Sequence, residues 1–491
     1  MNALRPALFL DRDGVINEDR GPLHRTEDFR WVQGAREAIH TAKRLGYLVV
    51  VVTNQSGVAR GLFTEDDIGK LHRWMQNELK SIGDSIDTFY YCPHLFESSA
   101  LARYRISCDC RKPAPGMFLQ AIAEHGIDPE ASMVIGDQQR DLDAGIAAGL
   151  GAAYLFHESQ NLHDFFLACL TERLQTSSVL CTGDVILDRF VYGEVSRISP
   201  EAPVPVLHIH RTQSMLGGAG NAVRNLASLG SSVLLLSVTG CDADGADIRT
   251  FCTCLANCDS HLETDPLRVT SAKIRYVAQG QQLLRADSET TETISAETFS
   301  RLEGRFHKHL DDCNAVLLSD YAKGVLNGGY ATRLIAAAKA RNLPVIVDPK
   351  GADFTRYTGA TVLKPNLREL AAAARMPVNT NAEVEAAARH IMEQSATEYI
   401  LVTRGAAGMM LVPAAGEAHT FPALAREVYD VTGAGDTVAA VLAAALGAKL
   451  TINAAVEMAN IAAGIVVGKV GTATVNRDEI LQAFTVGKPR L

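Results

Sequence analysis

Asp11-Arg12-Asp13-Gly14-Val15 sets two carboxylates two residues apart, directly behind the short apolar run Leu8-Phe9-Leu10. Such a pair can divide the work of phosphoryl transfer, one carboxylate attacking phosphorus while the other handles the proton on the leaving oxygen. Taken alone, the motif is better explained by an Asx turn with a solvated second Asp. It is not alone. Thr53-Asn54 closes the next apolar run, Arg111-Lys112-Pro113 supplies cations, and Gly136-Asp137 closes a later run with Asp141 four residues on. In that order they offer a nucleophile, a phosphate-binding hydroxyl and amide, a charge-neutralising lysine and a Mg²⁺ carboxylate.

Between these motifs stand Cys92-Pro93-His94 and Cys108-Asp109-Cys110, a C-x-H and a C-x-C pair separated by a 13-residue loop. Four soft ligands at that spacing can close a tetrahedral structural Zn²⁺ site, and no aliphatic periodicity here would bury the thiols as core. Cys252, Cys254 and Cys258, with His261, form a second cluster. Its spacing is poor for closing around one ion, so a helical segment with incidental thiols is expected.

A third constellation lies near the C-terminus, Asp430-Val431-Thr432-Gly433-Ala434-Gly435-Asp436-Thr437, opening an Ala-rich stretch of helical character. Gly433 and Gly435 let backbone amides converge at a helix N-terminus, a natural seat for phosphate and for charge that builds up during its transfer. Asp436 at that turn can accept a proton from an attacking hydroxyl. A lone Gly-Ala-Gly is more often a turn than a site, but the full octet is far more specific.

The elements that must position these residues follow one pattern. Tyr47–Val52, Met133–Ile135, Val179–Cys181, Val233–Val238, Ala315–Leu318, Val345–Val347 and Tyr399–Val402 are short apolar runs, each ending in a polar cluster and followed by helical spacing. Strands alternating with helices predict parallel, doubly wound sheets, with ligands at the carboxyl ends of the strands. The polar stretch Gln175-Thr176-Ser177-Ser178, after a last amphipathic helix over Asn161–Leu174, divides the chain into domains of 1–170 and 176–491. The 491 residues are 47% hydrophobic and 21% charged, which excludes a disordered or fibrous chain. A net charge of −9 argues against nucleic acid as a partner. No apolar run reaches the roughly 18–20 residues of a membrane span, no signal-peptide core precedes Asp11, and ten cysteines without a leader point to reduced thiols or metal ligands. A cytoplasmic protein with no membrane partner is expected.

On these residues the first domain resembles the haloacid dehalogenase superfamily of phosphatases, and Phe9–Asn17 looks like the subgroup that holds heptose bisphosphate and histidinol phosphatases. The resemblance implies that Asp11 forms an aspartyl-phosphate and that Asp13 acts as general acid and then base. Thr53 and Lys112 would hold the transferring phosphoryl group, and Asp11, the Asp13 carbonyl and Asp137 would ligate Mg²⁺. Cys92, His94, Cys108 and Cys110 would carry the zinc that buttresses the pocket, with Asn54 and Arg111 beside the phosphosugar. Leu95-Phe96-Glu97 departs from the His-Pro pair common in the family and puts the loop's shape in question.

The second domain resembles the ribokinase-like sugar kinases over about 179–480. Leu216-Gly217-Gly218-Ala219-Gly220-Asn221 fits the family's sugar-side glycine signature, Gly183–Asp188 its first strand, and Asn366-Leu367-Arg368-Glu369 its N-x-x-E element. The likeness implies sugar contacts from Asp188, Gly217, Gly218 and Asn221. It places ATP phosphates and Mg²⁺ near Asn366, Glu369, Gly433, Ala434 and Gly435, with Asp436 as the base. Ser196–Val206, Ser319–Gly324, Asp348–Gly351 and Glu427–Asp430 narrow the resemblance to bacterial heptose-7-phosphate kinases. The fold class implied is α/β, two doubly wound domains, a haloacid dehalogenase-like Rossmannoid domain followed by a ribokinase-like domain.

Together the resemblances imply phosphorylation of heptose 7-phosphate at C1 and hydrolysis of the 7-phosphate from the 1,7-bisphosphate, on the way to ADP-heptose. Arg197, Lys273, Arg275 and Lys323 are candidates to grip the 7-phosphate. A histidinol-phosphate-type phosphatase joined to a different sugar kinase, or a non-catalytic sugar sensor, are the competing readings. The resemblance leaves room for a homodimer through the kinase domain and fixes no oligomeric state.

Overall fold

Leu48–Asn54 is Leu-Val-Val-Val-Val-Thr-Asn, with no polar residue until its end, and six of its seven residues are buried. A strand apolar on both faces belongs inside a parallel sheet covered on each side. The computed structural model, which describes residues 4–97, 100–424, 429–469 and 471–486, places it so. The chain forms two compact units parting between Glu172 and Arg173, with Lys449–Ala454 and residues 484–486 going with the first.

In the first unit β1 (Ala7–Leu10), β2 (Leu48–Asn54), β3 (Thr88–Cys92), β4 (Met133–Gly136) and β5 (Ala152–Leu155) form a parallel sheet in the order β3-β2-β1-β4-β5. Its core packs Phe9, Val50 and Val52 of the sheet with Met117 and Phe118 of the helix Gly116–His125. Strand order reverses direction at β1, so the crevice beyond the carboxyl ends of β1, β2 and β4 is the topological switch point. Asp11, Thr53-Asn54 and Asp137 occupy those ends.

The second unit holds two sheets. Thirteen strands follow in chain order: β6 (Ser178–Gly183), β7 (Val185–Ile198), β8 (Pro205–Gly218), β9 (Ser232–Thr239), β10 (Cys258–Thr264), β11 (Ala272–Ala278), β12 (Gln281–Ser288), β13 (Ala315–Ser319), β14 (Val345–Asp348), β15 (Val362–Leu363), β16 (Tyr399–Thr403), β17 (Met409–Pro413) and β18 (His419–Phe421). Nine of them run β10-β9-β6-β13-β14-β15-β16-β17-β18, parallel as far as β16 and antiparallel beyond it. The separate sheet β12-β11-β7-β8 is absent from the sequence reading. Only β7 opens on a buried apolar run, Val185–Leu187, whereas β8 is mostly exposed or half-buried and every residue of β12 is exposed. Ser196–Val206 spans the turn of its β7–β8 hairpin. Among the described residues no helix is long and apolar enough to cross a membrane.

Two expectations change in detail. The Asn161–Leu174 segment is an α-helix over Leu162–Glu172 that tightens into a 3₁₀ turn, Arg173–Thr176. The Cys252–His261 cluster is not one helical segment. Cys252 ends a helix, Cys254 is exposed after it, and Cys258 opens β10, because the cluster straddles a helix-to-strand turn.

Between β13 and the helix Tyr330–Lys339 the chain must pass near the end of β6 without a strand partner for its amides. Asp184, just past β6 and buried, accepts from the amides of Tyr321 and Lys323, each at 2.9 Å, and of Val325 at 3.1 Å. Asp320 accepts from the Ala322 amide and the Tyr357 hydroxyl, both at 2.7 Å. Replacing Asp184 by Ala strands three amides, each costing about 1–3 kcal/mol when left buried and unpaired. Asp184→Ala should therefore destabilise the second unit by at least about 3 kcal/mol in chemical denaturation; a change below about 1 kcal/mol would refute the clamp.

Candidate active sites

In the first unit the Lys112 ammonium, fully buried, lies 3.1 Å from Asp11 Oδ1 and 2.7 Å from Asp141 Oδ1, and it donates to the Val52 carbonyl at 2.8 Å. Oxygens of Asp11, Asp137 and Asp141 converge within 4.8 Å of one another. Three hard carboxylate donors suit a small divalent cation such as Mg²⁺. The sequence reading passed over Asp141 as a site residue, although its place four residues after Asp137 was visible. Burial pushes the Asp11 carboxyl up to about 6 against the pull of Lys112, and burial likewise raises Asp137.

The Asp13 side chain is oriented by a separate set of donors. Arg12 donates to it from Nε at 3.1 Å and from Nη2 at 2.9 and 3.0 Å, Asn17 at 3.1 Å and Gln55 at 2.7 Å. Gln55 also donates to the Thr53 hydroxyl at 2.9 Å, tying the hydroxyl to the carboxyl. Arg12, Asn17 and Gln55 escaped the sequence reading because each looks like an ordinary loop polar. A cavity of about 210 Å³ opens here, lined by Asp11, Asp13, Thr53, Asn54 and Asp137 and by the cations Arg60 and Arg140. Arg111 is not among its walls; its guanidinium donates to the His94 carbonyl at 3.1 Å.

Cys92, His94, Cys108 and Cys110 also bring one donor atom each within 4.8 Å of the others. Sulfur–sulfur separations are 3.6 Å for Cys92–Cys108 and 3.2 Å for Cys110 to either, with His94 Nδ1 3.3 Å from Cys110 Sγ. A tetrahedron with Zn–S bonds of about 2.3 Å has edges of about 3.8 Å, so the donor set fits zinc after slight expansion. Burial raises the Cys92 and Cys110 thiols, so a cation would displace protons on binding. The loop is tied to the site at both ends. Cys92 stands opposite Asn54 in the β2–β3 register, and Asn54 exchanges two 3.1 Å hydrogen bonds with the Lys112 backbone.

In the second unit Asp436 is buried in the first turn of the helix Ala434–Gly447. Its Oδ1 accepts from the Tyr321 hydroxyl at 2.5 Å and its Oδ2 from Asn221 Nδ2 at 2.9 Å. Burial and the neighbouring Asp348 push its carboxyl up to about 7, against Tyr321, Asn221 and Lys364. The turn before it is tight: Gly433 has φ 81° and no side-chain cap, and a Cβ there would come 2.6 Å from Asn221 Nδ2. Asn221 and the glycine signature are thereby brought together.

A cavity of about 740 Å³ runs from Tyr321 and Asp348 past Ala434 and Gly435 to Asn366 and Glu369, with Thr403, Ala463 and Val467 beyond. Asn366 and Glu369 form a reciprocal capping box at 3.0 Å each way, and Glu369 pairs with Lys350 at 2.7 Å. The pair Lys364–Asp348, 2.9 Å apart with the lysine buried and the aspartate half-buried, lies beneath Gly435. Lys364 escaped notice although it immediately precedes Pro365-Asn366. Asp188 pairs with Arg275 at 2.5 Å, and a Cβ on Gly217 would come 2.1 Å from Asp188 Oδ2, so this carboxylate requires glycine beneath it. Gly218 opens the helix Ala219–Ser228, which carries Asn221. Lys323 pairs with Glu289 at 2.6 Å. Of the motif Glu427–Asp430, residues 427 and 428 lie outside the described residues.

A model of the pfkB family of carbohydrate kinases matches residues 176–479, and an HAD-hydrolase-like model matches residues 109–155 of the first unit. The bifunctional protein HldE of Rhodospirillum rubrum is 49% identical over 317 residues, covering 65% of this chain and 64% of that relative. HldE of Caulobacter vibrioides is 44% identical over 318 residues, 65% of each. The chain thus spans just under two thirds of the length of these relatives. Among solved structures, Arabidopsis thaliana ribokinase complexed with ribose and ATP matches with TM-score 0.51 and 20% identity, over 62% of this chain and 98% of that one. Phosphofructokinase-2 from Escherichia coli matches with TM-score 0.53 and 19% identity, over 63% and 98%. The solved structures show the fold, which is ribokinase-like. With a family match running across most of the second unit, and across more than half of the whole sequence, the chain belongs to the pfkB family of carbohydrate kinases.

Proposed function

We propose that the chain is a bifunctional enzyme of ADP-heptose formation. Its second unit transfers the γ-phosphoryl group of ATP to the C1 hydroxyl of D-glycero-β-D-manno-heptose 7-phosphate, and its first unit hydrolyses the 7-phosphate of the resulting 1,7-bisphosphate. The observation that carries the reading is a buried carboxylate, Asp436, hydrogen-bonded to Tyr321 and following Gly435, both of which line a nucleotide-sized cavity, in a chain of a carbohydrate kinase family. The heptose assignment is supported by the likeness of Ser196–Val206 and Ser319–Gly324 to heptose-7-phosphate kinases, and by relatives named as bifunctional HldE proteins. ATP use and free cysteines fit a cytoplasmic setting.

In the kinase reaction Asp436 takes the proton of the C1 hydroxyl, and the freed oxygen attacks the γ-phosphorus as ADP leaves. Amides at the start of the helix Ala434–Gly447 face the phosphates, and Lys350 adds positive charge at the same wall. Below about pH 7 the carboxyl already holds a proton and cannot accept another; above it the base is free. The kinase kcat/KM should accordingly fall about tenfold per pH unit as the pH drops below about 7, and Asp436→Asn should lower kcat by about 10²–10⁴-fold. A flat profile between about pH 5.5 and 8, or near-normal turnover by the Asn variant, would remove Asp436 from this role.

In the phosphatase reaction Asp11 attacks the 7-phosphate phosphorus and Asp13 protonates the leaving sugar oxygen. Asp13 then takes a proton from the water that hydrolyses the aspartyl-phosphate, while Thr53 and Lys112 hold the phosphoryl oxygens. A Mg²⁺ ion at Asp11, Asp137 and the Asp13 carbonyl, with Asp141 close by, would screen the repulsion between nucleophile and phosphate. Asp11→Asn should abolish phosphate release and leave ADP production running, so that phosphorus NMR sees the 1,7-bisphosphate accumulate. Loss of both activities in that variant would contradict two independent sites.

Zinc at Cys92, His94, Cys108 and Cys110 would fix a loop whose two ends meet at Asn54, and so fix Lys112. Purified protein should carry about one zinc per chain. Cys108→Ser should shed that zinc and the phosphatase activity while the kinase continues. Elemental analysis finding no zinc, or a zinc-free variant with full phosphatase activity, would overturn this assignment.

A further inference from the structure

Tyr321 supplies nothing that phosphoryl transfer formally requires, yet it makes the shorter of the two hydrogen bonds to Asp436, 2.5 Å against 2.9 Å from Asn221. Its ring stands in the wall of the nucleotide-sized cavity, with the Lys273 ammonium 5.2 Å from the ring centroid. A residue that merely walled the cavity would point its hydroxyl at solvent or at the nucleotide. This one points it at the carboxylate.

The backbone beneath the ring is held at four amides. Asp184 accepts from the amides of Tyr321, Lys323 and Val325, while Asp320 accepts from the Ala322 amide and the Tyr357 hydroxyl. Ala322 sits at φ 55°, a conformation that a residue other than glycine keeps only where its surroundings impose it. The segment Ser319–Gly324, in which the sequence offered a role for Lys323 alone, thus builds a rigid mount for one phenol.

The terminal torsion of an aspartate is soft and roughly two-fold, so a carboxylate held by one donor can swing about its Cβ–Cγ bond. Donors on both oxygens remove that freedom. We propose that Tyr321 is a positioning residue of the kinase reaction: with Asn221 it locks the plane of the Asp436 carboxylate, so that a lone pair faces the acceptor hydroxyl. The proposal rests on the kinase reading in one respect, that Asp436 is the base.

The groups that face Asp436 are Tyr321, Asn221, Asp348, Lys364 and Cys181. Burial and Asp348 favour its neutral form, and the two hydrogen bonds together with Lys364 oppose them. Removing the phenol hydroxyl leaves the opposing side weaker, which moves the carboxyl further up.

The test is Tyr321→Phe in the full-length protein, with its thermal unfolding compared to the parent's so that a folding defect is seen directly. The expected result is a kcat for ADP formation lower by about 10- to 100-fold, the scale of one hydrogen bond to a charged group. KM for ATP and for heptose 7-phosphate should stay within about threefold, and the acid limb of kcat/KM should move to higher pH. Turnover within about threefold of the parent with an unmoved limb would overturn the proposal, as would a loss expressed in the KM for ATP, which would make Tyr321 a cavity wall. Carbon NMR of aspartate-labelled protein, with Asp436→Asn identifying the signal, reads the same carboxyl without turnover. If the parent fails to phosphorylate the heptose, the substrate assignment falls, yet the Asp436 titration should still rise in the Phe variant; an unmoved titration would defeat the Tyr321 proposal alone.

Discussion

A carboxylate taken out of water costs several kcal/mol unless donors or cations surround it. Each unit buries the carboxylate to which the proposed chemistry gives the central role, Asp11 in one and Asp436 in the other. In the first unit the compensation is a cation, Lys112, itself buried and shared between Asp11 and Asp141. In the second it is two neutral donors, Tyr321 and Asn221, with the Lys364–Asp348 pair close by. The difference suits the tasks proposed. A nucleophile must stay anionic beside an arriving phosphate, so a lysine helps twice. A base must be ready to accept a proton, and neutral donors leave its affinity for one higher than a contacting lysine would.

Parallel strands deliver the reactive groups to one edge, but loops deliver their partners, and the loops have to be made rigid. Two devices do this. Asn54 binds the Lys112 backbone in both directions while standing opposite Cys92, so closing the cysteine loop and placing the lysine are one event. Asp184 and Asp320 collect backbone and phenol donors around residues 320–325 in the same spirit. A buried carboxylate that accepts three amides is a structural element in its own right, since it supplies what a neighbouring strand otherwise would.

What could be read from the sequence divides along the same line. β2, β4, β6, β9, β13, β14 and β16 were legible because strands buried on both faces are written as uninterrupted apolar runs. The groups at their carboxyl ends were legible because type and position coincide there, as at Asp11, Thr53 and Asp137. The sheet β12-β11-β7-β8 was not, because β8, β11 and β12 carry no such run and β12 is wholly exposed. Nor were Tyr321, Gln55 and Arg12 as partners of reactive carboxylates, since a polar residue's partner across the chain leaves no mark in its own neighbourhood. Asp436 and Tyr321 are 115 residues apart. Asn366 and Glu369 show the opposite case, a pair whose spacing announces both a helix start and a place in the cavity wall.

The proposed chemistry relates the sizes of the two cavities to who supplies the nucleophile. Where the protein itself attacks, as Asp11 would, the site needs to admit one phosphoryl group and the carbon that carries it, and about 210 Å³ suffices. Where one substrate attacks another, both must be held in line and the protein contributes only a proton acceptor and a cradle for charge. The second unit meets that demand with about 740 Å³ beside the helix Ala434–Gly447, and with a separate sheet bearing Asp188 and Arg275. On the proposed reading, that sheet would give the acceptor a surface of its own, apart from the crevice at the carboxyl ends of the doubly wound sheet.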